Sequence, residues 1–193
     1  MSSVRLLALS GSTRDGSVNT KLASTITSMA ANVGFDAVQI SLADHPAPLF
    51  DADWEKQNGP PEPIKALQAL MVEQDAIFVA SPEYNGGITP LLKNTIDWLS
   101  RVRVEGQPGS LIFKKPIWSL GAVSPGVQGG VNSLYQLRPT ISRLGAIVMP
   151  EQLTVGGGAS AFNEDGSFAN DRTINLATAQ LERLFDVAGK LKS

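Results

Sequence analysis

Short apolar runs alternate along the chain with segments whose apolar residues fall at helical spacing. "VRLLALS" (4–10) leads to a segment from Ser17 in which Leu22, Ile26 and Met29 share one helix face. "FDAVQIS" (35–41) reads as a second strand, running into a proline-rich loop through "HPAPLFDAD". A helix is expected from Pro60 to Val72, with Ile64, Leu67, Leu70 and Met71 inward. "AIFVAS" (76–81) is a buried strand, followed by a helix from Thr89 to Arg101. "PIWSLGAV" (116–123) is the fourth strand, with Val131–Leu144 the helix behind it. "AIVMPEQLTV" (146–155) supplies a fifth strand, and Thr173–Leu191 a closing helix carrying Leu176, Leu181, Leu184 and Val187. Alternating strands and helices with continuously apolar strands predict an α/β fold, its parallel sheet covered on both faces.

Two loops after these strands carry candidate chemistry. "GSTRDGSVNT" (11–20) keeps the Gly-x4-Gly spacing of a nucleotide-triphosphate loop, but Ser17 stands where the lysine belongs. Ser10, Ser12, Thr13, Ser17 and Asn19 offer hydroxyl and amide donors, and Arg14 a charge-assisted bond. Backbone N–H groups at a helix N-terminus attract an anion. Without the lysine, that donor set suits a monophosphate ester rather than a triphosphate. The G-x-G-x-x-G of a dinucleotide site is absent too. The plainer alternative makes Ser17 a helix N-cap and the rest a polar turn.

The second loop opens "SPEYNGGITPLLKNTIDWLSR" (81–101). Pro82 restricts the backbone, Gly86 and Gly87 free it, and Tyr84 and Asn85 offer an aromatic face and an amide. That combination suits a planar heterocycle, or equally a turn into a helix with Pro90 in its first turn. In the helix, Leu92, Ile96 and Leu99 form the inner face, and Asp97 and Arg101 are expected as a surface pair. Trp98 then faces outward, which favours a subunit contact over a core position. A third loop, "GAVSPGVQGG" (121–130), either approaches the rim of a bound ring or is a plain glycine-rich connection.

Composition narrows the chemistry. The 193 residues include no cysteine and one histidine. That excludes disulfides, thiolate nucleophiles and thiol-ligated metals, and argues against a histidine metal site. His45, in "DHPAP", reads as part of a solvated loop rather than a lone general base. The charged fraction of 18% is below the roughly 25% usual for soluble domains, which fits extra apolar surface in a cofactor site or between subunits. A net charge of −2 leaves no footprint for nucleic acid. The loop 156–171 reads as long, glycine-rich and mobile, and its "NEDGS" lacks a calcium-loop pattern. No apolar run approaches the ~18 residues of a membrane span, and the first strand follows too closely for a signal peptide. A single cytoplasmic domain over 1–193 is expected.

Taken together, the loops resemble the NADPH-dependent FMN reductase family of quinone, azo-dye, flavin and chromate reductases. Its "GSxRxxSxN" loop is matched by Gly11, Ser12, Arg14, Ser17 and Asn19, and its "PEYNGG…LKNxIDWLSR" segment from Pro82 through Arg101. The resemblance implies a flavodoxin-like, doubly wound fold with a five-stranded parallel sheet in the order 2-1-3-4-5. It implies FMN phosphate at Ser10, Ser12, Arg14, Ser17 and Asn19, the isoalloxazine at Pro82, Glu83, Tyr84, Asn85 and Gly86, and its far edge at Ser124 to Gly126. It further implies a homodimer or homotetramer with Trp98 near the contact. The activity implied is ping-pong hydride transfer from NADPH or NADH to a small acceptor, with no catalytic side chain and no metal. A flavodoxin-type electron carrier is the alternative, though carriers are strongly acidic and this chain is not.

Overall fold

The residues of the first strand, β1 (Arg5–Ser10), are buried after Arg5 and alternate between two cores. Leu6 and Ala8 face one layer with Leu22, Ile26, Leu181 and Leu184. Leu7 and Leu9 face another with Ile64, Leu67, Leu92, Ile96, Leu134 and Leu137. The computed structural model describes residues 3–103 and 109–192. Around β1 run β2 (Asp36–Ile40), β3 (Ala76–Ala80), β6 (Ile117–Val123) and β7 (Ile147–Val155), with a separate hairpin of β4 (Glu83–Tyr84) and β5 (Gly87–Ile88). The sheet is β2-β1-β3-β6-β7, every neighbour parallel. Counting these five strands alone, the order is the expected 2-1-3-4-5.

Helices α1 (Val18–Val33) and α7 (Asp171–Leu191) cover the first core. Helices α3 (Glu62–Val72), α4 (Pro90–Leu99) and α6 (Val131–Arg143) cover the second. Strands β3 and β6 are buried along their whole length because both faces are covered, which is why they read as unbroken apolar runs. Helix α1 is bounded as the physics of ends requires: Ser17 caps its start, and Gly34 closes it at φ 114°.

Two helices have no apolar periodicity and went unpredicted. Helix α2 (Ala52–Asn58) buries none of its residues and is started by Asp51, whose Oδ1 accepts from Trp54 N at 2.7 Å. Helix α5 (Leu111–Lys114) is a single turn. Two expected core residues are corrected. Leu70 is 45% exposed and Leu176 is 54% exposed, each at the margin of its helix's apolar stripe. Loop 156–171 has a defined shape, with stacked Phe162 and Phe168 rings 5.5 Å apart and Thr25 Oγ1 donating to Gly166 O at 2.7 Å.

The fifth strand is irregular for a reason. Trp118 pairs with Val148 but Leu120 pairs with Gln152, so β7 carries extra residues opposite Ser119. Pro150 sits in this bulge, where no ladder bond is lost. Arg138 donates to the Met149 carbonyl at 2.8 Å, and Gln180 Nε2 donates to Ser119 Oγ at 2.6 Å and the Leu120 carbonyl at 3.1 Å. Burial lowers the Arg138 pKa, opposed by the charge of Glu151. Gln180→Leu should remove the partner of the buried Ser119 hydroxyl and cost about 1–3 kcal/mol. A urea titration should show a lower midpoint at unchanged slope; an unchanged midpoint would remove Gln180 from the support of the bulge.

Candidate functional site

Three loops leave the carboxyl ends of β1, β3 and β6, the edge at which α/β sheets bind ligands. In the first, Ser10 Oγ accepts from Ser12 N and Ser12 Oγ from Arg14 N, both at 3.2 Å. Ser17 Oγ accepts from Thr20 N at 3.4 Å, so Ser17 is an N-cap as well as a loop hydroxyl. Each of these hydroxyls still has its own proton to donate. Arg14 is exposed and, among the described residues, its side chain reaches only the carbonyl of Asp15, at 3.2 Å. The N–H groups of Thr13, Asp15, Gly16, Val18 and Asn19 have no acceptor among the described residues. Free N–H groups and hydroxyl protons at the positive end of a 16-residue helix form a donor set that fits a phosphate.

Asn19 does something else with its side chain. Its Nδ2 donates to the Val123 carbonyl and its Oδ1 accepts from Val123 N, both at 2.9 Å. The carboxamide is therefore satisfied inside the protein, where it pins α1 to the end of β6. Of the two donors Asn19 carries, the carboxamide serves the fold and the backbone N–H remains facing the loop.

The second loop is the β4–β5 hairpin. Asn85 at φ 52° and Gly86 at φ 77° place both central turn residues in the left-handed region, the geometry that Asn-Gly favours. Tyr84 is 53% exposed at its rim. The hairpin is strapped to α6. Glu83 Oε2 accepts from Asn132 N at 2.9 Å and Ser133 N at 3.3 Å, and Gln136 Nε2 donates to the Gly86 carbonyl at 3.0 Å. Helix α6 starts at Gly130 without a side-chain cap of its own, so Glu83 supplies one from a neighbouring loop.

Thr89 joins the second loop to the first. Its hydroxyl donates to the Gly11 carbonyl at 2.7 Å and accepts from Leu92 N at 3.2 Å, capping α4 ahead of Pro90. A cleft of about 210 Å³ lies between these loops, with Ser12, Thr13 and Arg14 on one wall and Tyr84, Thr89 and Pro90 on the other.

The third loop packs onto β7 and its extension. Ser124 N donates to the Val155 carbonyl at 3.1 Å, and Gly158 N donates back to the Ser124 carbonyl at 3.0 Å. A Cβ on Gly129 would meet Val155 N at 2.5 Å, so only glycine permits this approach. Gly126, Val127 and Gln128 leave their N–H groups without acceptors among the described residues, and Val127 is 97% exposed.

The model of the NADPH-dependent FMN reductase family matches residues 4–160. This chain belongs to that family. It is 32% identical to a quinone reductase of Escherichia coli over 192 residues, 98% of this chain and 97% of the relative. It is 31% identical to an NAD(P)H-dependent FMN reductase of Pseudomonas aeruginosa over 183 residues, covering 94% and 93% of the two chains. The structure of FerB, a flavoenzyme NAD(P)H:(acceptor) oxidoreductase from Paracoccus denitrificans, superposes with a TM-score of 0.80 at 25% identity, covering 97% and 98%. As a member of this FMN reductase family, the chain is an oxidoreductase of NAD(P)H and flavin chemistry. Among the described residues no helix is long and apolar enough to cross a membrane, and no group of acidic or histidine side chains could hold a metal.

Within this FMN reductase fold, the loops carrying Ser10 to Ser17, Pro82 to Gly86, and Ser124 to Gly126 meet at one edge. Sequence reasoning missed the residues that join them: Thr89, Asn132 and Gln136. Only Thr89 carried a signal, as a threonine directly before a proline at a helix start. The expected Asp97–Arg101 pairing is corrected. Asp97 pairs with Lys93 at 2.8 Å, and Arg101 reaches across to Glu55 at 2.8 Å, which raises the Arg101 pKa through the hydrogen bond and charge of Glu55.

Trp98 is also corrected. It is 0% exposed, with Phe50 and Trp54 edge-on at 4.9 and 5.5 Å and its Nε1 donating to the Pro48 carbonyl at 2.7 Å. The proline-rich loop after β2 folds over the outer side of α4 and buries it, so its position does not imply a subunit contact. Asn19→Ala should orphan both Val123 backbone groups and destabilise the protein by about 2–4 kcal/mol. Chemical denaturation measures this, and a loss below about 0.5 kcal/mol would show that the α1–β6 clamp is dispensable.

Proposed function

We propose that the chain is a cytoplasmic FMN-dependent NAD(P)H oxidoreductase, built as one doubly wound domain over 1–193 and acting as a homodimer or homotetramer. The observation that carries this reading is the convergence of three loops, locked to one another, whose N–H groups and hydroxyl protons remain free. The hydroxyls of Ser10, Ser12 and Ser17, the loop N–H groups and Arg14 hold the FMN phosphate. Pro82, Glu83, Tyr84, Asn85 and Gly86 form the platform for the ring. Glu83 contributes by holding the hairpin in place, since its carboxylate is engaged by α6.

Bound FMN supplies two-electron, hydride-accepting chemistry. The protein's residues orient and exclude. The free N–H groups of Gly126 and Val127, beside Ser124, suit the polar edge of the ring, where donors stabilise developing negative charge. Exposed Tyr84 and Val127 flank an open face on which dinucleotide and acceptor take turns, a ping-pong order. No side chain is required as nucleophile or acid, which agrees with a chain lacking cysteine. Quinones lead the acceptors because several relatives are named quinone reductases, with azo compounds, free flavins and metal oxyanions behind them.

The deciding experiment is an anaerobic visible titration of the FMN-loaded protein, first with NADPH and then with a benzoquinone. Bleaching of the flavin bands followed by their recovery is expected. A bound flavin that NADPH leaves unbleached would make the protein a carrier, and failure to bind FMN would overturn the assignment of the loops. The double variant Arg14→Ala with Ser17→Ala should weaken FMN binding about tenfold or more by loss of charge-assisted and hydroxyl contacts. Its far-UV spectrum should stay native, since the lost N-cap costs only about 1 kcal/mol. Unchanged FMN affinity would displace the phosphate from this loop.

A further inference from the structure

A second concavity, of about 450 Å³, opens on the opposite side of the phosphate loop from the hairpin. It is lined by Ser10 and Ser12 of that loop, Thr20 of α1, Gln39, Ile40 and Ser41 at the end of β2, Asp44 and His45, and Leu70 of α3. Its size lies within the ~300–1,000 Å³ range of small-molecule clefts. Apart from Ser10 and Ser12, this wall carries no residue assigned to FMN above.

The lining has a definite chemical character. Leu70 is exposed into solvent from α3, and Ile40 is half-buried opposite the loop, so the groove offers apolar surface for a flat ring. Its polar groups are mainly acceptors. Asp44 is exposed and has no ion-pair partner within 4 Å among the described residues. The His45 ring donates from Nδ1 to the Pro63 carbonyl at 2.9 Å, which leaves Nε2 without a partner among the described residues. Gln39 uses its amide nitrogen on the Thr20 carbonyl at 3.3 Å, leaving its oxygen. No lysine or arginine lines the groove.

In dinucleotide-binding α/β folds a carboxylate beyond the second strand, beside the phosphate loop, takes the ribose hydroxyls of the adenosine, and Asp44 occupies the comparable place here although the loop sequence differs. The absence of a cation there suits a free diol and not a 2′-phosphate. Since Ser10 and Ser12 belong to both the groove and the phosphate loop, a group seated here continues directly from a phosphate held at that loop. We infer that this groove is an adenosine subsite, Asp44 taking the ribose hydroxyls and Ile40 and Leu70 the adenine. The inference rests on the placement of the FMN phosphate at residues 11–17.

Two ligands carry this chemistry: FAD, whose adenylate half extends from the flavin phosphate, and the adenosine end of the NADH co-substrate. Asp44→Ala separates them, because among the described residues the Asp44 carboxylate has no partner and it is not assigned to FMN. Equilibrium titration would measure FMN and FAD on the apoprotein, and ADP-ribose on the FMN-loaded protein. If FAD is the source, the variant should bind FAD about tenfold more weakly and FMN within about twofold of the native chain. If the co-substrate is the source, ADP-ribose should bind the FMN-loaded native protein and lose about tenfold in the variant. The subsite is overturned if neither FAD nor ADP-ribose binds, if neither is weakened by the substitution, or if FMN falls in step with FAD. In each of those cases FMN binding to the native chain and its bleaching by NADPH stand untouched, so the two readings fail separately.

Discussion

The buried carboxamide of Asn19 holds the geometry of the whole carboxyl edge. It answers both backbone groups of Val123, the last residue of β6, from the first turn of α1. Those groups lie beyond the ladder, in a buried position where an unmet N–H or carbonyl is expensive. One side chain thereby fixes where the first loop ends relative to where the third begins. Thr89 and Glu83 repeat the device, tying Gly11 to α4 and the hairpin to α6. Each of the three residues satisfies the end of a different element. The loops are therefore positioned by groups that the fold must satisfy whether or not a ligand is present.

This division of labour explains the phosphate loop without a lysine. Lysine brings a point charge on a long stem, which a triphosphate and its metal require. The present loop works at short range, with hydroxyl oxygens engaged by the loop backbone and hydroxyl protons left over. That arrangement fixes hydroxyl direction before any anion arrives. Arg14 is exposed and, among the described residues, its side chain bonds only a neighbouring carbonyl, so an anion at this loop would meet its charge with no internal ion pair to break. Helix α1 adds its dipole from a start that Ser17 defines.

What could be read from the sequence followed burial. Strands β1, β3 and β6 are covered on both faces, so their apolar runs were unambiguous, and α1, α3, α4, α6 and α7 carried apolar stripes of the right period. The sheet order, the carboxyl-edge loops and their donors were legible for that reason. What failed depended on contacts distant in sequence. Trp98 reads as outward when only its own helix is considered, because Leu92, Ile96 and Leu99 already fill a face. The loop bearing Pro48 and Phe50 covers the opposite side, more than forty residues earlier in the chain. Arg101 likewise found Glu55 on α2, a helix with no buried residue to announce it. The structural bonds of Asn19 and Glu83 were illegible for a related reason: a polar residue in a motif can serve the motif's shape through partners far away in the chain.

Stability and site cannot be separated at the fifth strand either. The extra residues opposite Ser119 shift β7 relative to β6, and only after that shift does Val155 stand beside Val123. Ser124 N then reaches the Val155 carbonyl, and Gly129 packs against Val155 N with no room for a side chain. Removing the bulge would slide this register and lift the third loop from its support. Gln180 and Arg138, which satisfy the oxygens at the bulge, therefore act on the loop although neither is part of it. A core amide on the last helix and a guanidinium on α6 thus brace the two strands on which the third loop rests. The candidate site is shaped from beneath, by the polar groups that an irregular strand obliges the core to accommodate.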